Sequence, residues 1–235
     1  MPPKEPFNPS NRILSRLSAA DFALLDANLT VVDLTLRKKI EVAKRPIEHI
    51  YFPDSGIISV VANGGNKRSI EVGLIGREGM SGIAVVMGTD RSPHDSFVQG
   101  AGRGRRIRAV DLRDAIKKSR TLHERFLQYG HAFMVQTGYT AMANGRSKIE
   151  DRLARWLLMA HDRIDGDVLP MTHEFLSVML GVRRPGVTLA LNLLERAGLI
   201  QASRGAVTIV DREGLEEKSN GAYGAPEAEF NRLFG

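Results

Sequence analysis

The chain has 235 residues, 43% of them hydrophobic and 26% charged, enough for two modest domains with real cores. Zero cysteines exclude a disulfide framework, cysteine-ligated iron–sulfur or zinc sites and a cysteine nucleophile. The net charge of +6 suits a nucleic-acid partner, yet from Asn144 onward about 12 Lys and Arg face about 13 Asp and Glu, so DNA contact in that half must rest on a local patch.

No apolar stretch approaches the ~20 residues of a membrane span; Gly82 to Met87 is among the longest. Met1-Pro2-Pro3-Lys4-Glu5-Pro6 has no apolar signal core, so residence in the cytoplasm is expected. Residues 11–28 predict a helical lead-in, with Ile13, Leu14 and Leu17 apolar and Ser18 a cap before Phe22, Leu24, Leu25 and Leu29. From Thr30 to about Val110 the pattern becomes short apolar runs: Val31 to Leu36, Ile50 to Phe52, Ile57 to Val61 and Ile70 to Ile75. Turn signals at Pro53 to Gly56, Asn63 to Asn66 and Gly76 to Gly79 give the spacing of a small antiparallel roll, with Asn63 to Asn66 a hairpin tip.

Helical periodicity returns after Asp111. Between Thr121 and Ala143, Leu122, Phe126, Phe133 and Thr140 recur at spacings of four or seven; this stripe is buried by the roll, by a partner helix as a dimer interface, or by both. Asn144-Gly145 reads as a hinge, followed by an amphipathic helix from Ile149 to near Arg163. The expected organisation is a roll over 11–120, a long helix and hinge over 121–145, a second domain over 146–217 and a loose tail over 218–235, where Phe230, Leu233 and Phe234 have apolar surface to dock.

The segment from Leu169 to Ile200 carries the functional signal. Thr172 is a suitable N-cap, Leu176 and Leu180 point inward, and Gly181 supplies the positive φ of a tight turn. Pro185 suits the first turn of a second helix whose buried face is Val187, Leu191 and Leu194 and whose opposite face carries Arg184, Thr188 and Asn192. Basic and polar groups at a helix N-terminus are what major-groove reading needs. Gly198 to Ser203, a turn at Arg204-Gly205 and Ala206 to Val210 then read as a two-stranded wing with Arg204 at its tip, placed for phosphate or the minor groove. The alternative is a helical hairpin plus β-hairpin with solvated arginines.

Ile149 to Leu158, with Thr172 to Ile200 and the wing, resembles the cyclic AMP receptor protein and Fnr family of bacterial transcription regulators, the likeness running from about Leu14 to Leu215. The resemblance implies an α+β fold: an N-terminal antiparallel β-roll of the cyclic-nucleotide-binding type, a long dimerisation helix and a C-terminal winged helix-turn-helix. It implies a homodimer that binds double-stranded DNA at a palindromic operator. Thr172 and His173 then approach phosphates, Arg184 reads a base, and Arg183, Thr188, Asn192 and Arg204 complete the DNA-binding set. RNA polymerase is a further candidate partner.

Where the family's receptor has glutamate and arginine on the recognition helix, this chain has Pro185 and Leu189, which leaves the operator open. Gly79 to Ala84 and Gly88 to Ser92 lie near the family's phosphate cassette, so Arg91 and Ser92, with Thr137 on the long helix, are the implied effector contacts. The ribose-binding glutamate is replaced by Gly82 or Ile83, which argues against cyclic AMP as the small-molecule effector. The run Arg103 to Arg108 is a solvated basic face, or binds an acidic effector or flanking DNA. Among the histidines only His123 and His131, eight apart on one helix, approach a ligand spacing, so neither metal nor cofactor is expected. A regulator with a vestigial sensor is the alternative reading. An enzyme is not expected, for the chain has no P-loop, nucleophile elbow or dinucleotide-binding fingerprint.

Overall fold

The computed structural model describes residues 10–64 and 68–235. Met1 to Pro6 and the Gly65-Asn66 part of the expected hairpin tip lie outside them. The chain begins with a 3-10 turn at Leu14–Arg16 and helix α1 (Ala19–Asp26), where the Ser18 side chain accepts the Asp21 N–H as its N-cap. Seven strands follow: β1 (Thr30–Leu34), β2 (Lys39–Glu41), β3 (His49–Pro53), β4 (Ile57–Gly64), β5 (Arg68–Ile75), β6 (Asp95–Gly100) and β7 (Gly102–Arg108). They form two antiparallel sheets, β1-β7-β3 and β2-β6-β4-β5, and the short helix α2 (Ile83–Val86) lies between β5 and β6. This is the expected roll.

Helices α3 (Ala109–Lys118) and α4 (Arg120–Arg146) close the roll, Ser119 capping α4 by accepting the Leu122 N–H. Helix α4 runs through Asn144-Gly145 instead of breaking there; the break falls at Ser147 and Lys148, just before α5 (Ile149–His161). One exposed glycine costs a helix only ~1 kcal/mol relative to alanine, too little to end a helix held by packing along its length.

The stripe expected at a dimer interface is mostly spent inside the protomer. Leu122 and Phe126 are fully buried in the core under the β1-β7-β3 sheet, with Phe126 against Phe52 at a ring separation of 6.0 Å. Phe133 packs between Tyr129 and Gly73, and Thr140 donates its hydroxyl to the Gln136 carbonyl. The roll buries Leu122 and Phe126, whereas Phe133 and Thr140 are half-buried. The exposed face of α4 instead carries Leu127, Met134 and Ala141, seven residues apart, with Gly138 and Gly145 open to solvent.

The second half contains β8 (Val168–Pro170), α6 (His173–Leu180), α7 (Arg184–Arg196), β9 (Ile200–Ser203) and β10 (Ala206–Ile209), then α8 (Arg212–Lys218) and α9 (Ala225–Phe234). The wing is a three-stranded sheet, β8-β10-β9, one strand more than expected. The tail is ordered too: Phe230 and Phe234 stack at 4.7 Å, Arg12 and Arg125 lie over their rings, and Arg125 donates to the Leu233 carbonyl. Shortening Phe126 to Ala should therefore lower unfolding stability by ~3–5 kcal/mol, read by chemical denaturation, because it opens a cavity in the protomer core. A loss of dimerisation at unchanged protomer stability would contradict this placement.

Candidate nucleic-acid interface and its link to the roll

The helix-turn-helix forms as its sequence dictates. The Thr172 side chain accepts the Phe175 N–H at the start of α6, Gly181 takes φ 62° at the turn, and Pro185 occupies the first turn of α7. Val187, Ala190, Leu191 and Leu194 bury one face of α7 against Leu153, Leu157 and Leu176. The opposite face presents Arg184, Leu189 and Asn192 to solvent, with Thr188 half-buried beside them. His173 bonds Thr188 at 3.1 Å, which ties α6 to α7. Arg183 and Arg184 at the start of α7, and Arg204 at the wing tip, are exposed and have no ion pair or side-chain hydrogen bond among the described residues. Three uncompensated cations at a helix N-terminus and a wing tip form a local anion-binding surface in a half of the chain with no net positive charge.

Residues 151–218 match the family described as the Crp-like helix-turn-helix domain. Solved structures share the fold over 80% to 87% of the chain. A protein from Eubacterium rectale assigned to the Crp/Fnr family is 19% identical, with a TM-score of 0.69 over 87% of this chain and 95% of that one. A CRP-family transcriptional regulator of Thermus thermophilus is 17% identical, with a TM-score of 0.68 over 83% and 99%. FixK2 of Bradyrhizobium japonicum is 16% identical, with a TM-score of 0.69 over 80% and 96%. Residues 151–218 are a Crp-like helix-turn-helix domain, and the chain shares the fold of these solved structures. A comparison with curated protein sequences finds no match.

The three expected effector contacts of the roll are each bonded locally within the chain. Arg91 is exposed and makes two hydrogen bonds to its neighbour Asp90 at 2.8 and 2.9 Å. The Ser92 hydroxyl accepts the His94 N–H, and Thr137 donates to the Phe133 carbonyl one turn back on α4. The Gly82 N–H, at the start of α2, donates instead to the Glu41 carboxylate at 2.7 Å, and burial raises the Glu41 pKa. A carboxylate of the chain itself thus holds a cassette amide. Three cations of the basic run are paired: Arg103 with Asp33, Arg105 with Asp54 and Arg108 with Asp111.

The contact between the halves was invisible in the sequence. Helix α6 lies on β5, Ile57 and Leu74 of the roll share one core with Trp156, Leu176 and Met179, and at its centre sits Glu71. Its carboxylate accepts the Trp156 indole N–H at 2.6 Å and the Ser59 hydroxyl at 2.5 Å. Burial is the largest influence on this acid and pushes its pKa up to about 7 from 4.5, against the lowering effects of those two donors and of Arg155 and Arg163. Arg155 is itself lowered to about 10 by burial.

A raised acid holds a proton in the folded state that the unfolded chain releases. The associated stability is therefore full below pH 4.5 and lost as pH rises through 7. Between pH 5 and 8 the protein should lose on the order of 3 kcal/mol from this group. Glu71→Gln, which keeps an acceptor for Trp156, should flatten that part of the profile in denaturation measurements; an unchanged profile would remove Glu71 as its source.

Proposed function

We propose that the protein is a cytoplasmic, homodimeric, sequence-specific transcription regulator that reads a palindromic operator with α7 and is modulated through the roll. The observation that carries this is the exposed, unpaired triad Arg183, Arg184 and Arg204, set on a helix start and a wing whose other faces are buried. Arg184 projects a bidentate donor toward base edges, Arg183 and Arg204 toward phosphates, and Thr188 and Asn192 offer further polar contacts. Thr172 is spent as a cap and His173 on Thr188, so their contribution is to hold the two helices and approach the backbone. The dimer contact is the exposed stripe Leu127, Met134 and Ala141, whose sevenfold spacing and adjoining glycines let a second α4 approach closely. Two copies of α7 on a two-fold axis then require two half-sites. RNA polymerase is a further partner of a regulator of this kind.

A second reading, a regulator with a vestigial sensor, is supported by the Glu41 carboxylate on the Gly82 amide and by the Asp90 carboxylate on Arg91. It requires operator affinity to be unchanged by cyclic nucleotides. Selection of duplexes from a random pool should enrich a two-half-site sequence, with binding that falls steeply with salt. Arg184→Ala should cost ~1–3 kcal/mol and relax discrimination at one base pair, and Arg204→Ala should weaken all duplexes more evenly. Equal losses on selected and random DNA would remove Arg184 as a base reader. Met134→Asp should split the dimer in sedimentation while leaving the protomer folded, because it puts a carboxylate into an apolar seam without touching the core.

A further inference from the structure

The outward face of α7 is apolar at its centre. At ~100° per residue, Pro185, Leu189, Asn192 and Arg196 fall in one row opposite the buried Val187, Ala190, Leu191 and Leu194, and all four are exposed. Arg184 borders this row. Thr188, beside it, is half-buried, its hydroxyl donating to the Arg184 carbonyl at 3.3 Å and bonded to His173 at 3.1 Å. Leu189 is 62% exposed. A lone bare leucine is ordinary on a protein surface. This one, however, stands in the second turn of α7, in the part of a second helix that reaches base edges when a helix-turn-helix docks in the major groove. Leucine has no donor or acceptor. Pressed on the edge of a G·C pair, it covers polar groups and returns no hydrogen bond for the water it removes. An A·T pair presents an apolar group in the major groove, the thymine C5-methyl, and contact there takes apolar surface of both partners out of water.

We propose that Leu189 is a specificity-determining residue that packs on the C5-methyl of one thymine in each half-site. This rests on the reading of α7 as the helix that enters the major groove. It adds a position of the operator that is chosen by an apolar contact, alongside the one that Arg184 reads by hydrogen bonds. The leucine selects in two ways, by gaining contact with a methyl and by penalising a base pair whose polar edge it would cover.

Duplexes that the wild-type protein selects from a random pool supply the probe. Replacing each thymine of a half-site in turn by deoxyuridine removes the methyl and nothing else. At one position this is expected to weaken binding about fourfold, the worth of one buried methyl group. In Leu189→Ala the same replacement should change binding by less than about twofold, since the partner of the methyl is gone. A pool selected by Leu189→Ala should lose its preference for thymine at that position and keep the rest of the site. Leu189 lies outside the core, so this variant keeps its denaturation midpoint and its losses report on contact with DNA. Leu193→Ala, one turn further from the helix start at a residue 41% exposed, should retain the full deoxyuridine penalty. A selected half-site without thymine, indifference to deoxyuridine at every thymine, a penalty that persists in Leu189→Ala, or one lost equally in Leu193→Ala would each overturn the proposal. The same selection separates it from the reading on which it rests. If no duplex is enriched, both fall; if a duplex is enriched and its binding depends on Arg184 but not on any methyl, only the role of Leu189 falls.

Discussion

The hydrogen bond from the Trp156 indole to the buried Glu71 carboxylate is the constraint around which the molecule is arranged. A carboxylate wholly out of water is costly unless it is bonded or protonated, and here the partners come from three separate stretches of chain. Ser59 belongs to β4, Glu71 to β5 and Trp156 to α5, so satisfying one acid aligns the roll with the scaffold helix of the DNA-binding half. Arg152, also on α5, donates to the Leu180 carbonyl at the end of α6 and so extends the same alignment to the turn that starts α7. Helix α7 is thereby positioned relative to the roll through a short series of hydrogen bonds and one shared apolar core.

Helix α4 performs two tasks on opposite faces. Its aromatic and leucine face is buried under the roll, and its Gln136 side chain bonds both the N–H and the carbonyl of Leu74, at 2.7 and 3.2 Å, next to the core shared with the DNA-binding half. The outward face is smooth where Gly138, Ala141 and Gly145 lie. Helix α9 adds a buttress on the flank of α4, where His131 meets Glu229 at 2.9 Å and the stacked Phe230 and Phe234 cover apolar surface. That arrangement leaves no internal use for Leu127 and Met134, both large, apolar and exposed.

On either side of α2 the chain satisfies its own polar groups. The chain turn is retained, with Gly82 at φ 74° where an added Cβ would meet Ile50 at 2.5 Å. The amide it offers is taken by Glu41, from a strand far away in sequence. Carboxylates of the chain itself thus accept from both the Gly82 amide and the Arg91 guanidinium.

Much was legible in the sequence because it is encoded locally. Ser18, Ser119 and Thr172 cap helices through side chains that act within three residues, Gly181 and Pro185 fix backbone angles at their own positions, and the short apolar run Ile57 to Val61 between turn signals marks a strand. Those signals gave the order of elements, the helix-turn-helix and its exposed arginines. What depended on distant residues was not legible. Periodicity places Leu122 and Phe126 on one face but does not say whether the roll or a second helix covers it, and Asn144-Gly145 looks like a break until packing along α4 outweighs a glycine's cost. Glu41 on Gly82, Glu71 under Trp156 and Gln99 beside Ser59 each join segments tens of residues apart. Hydrogen bonds and burial at that range depend on where the tertiary fold puts the strands, so they leave no mark on local spacing.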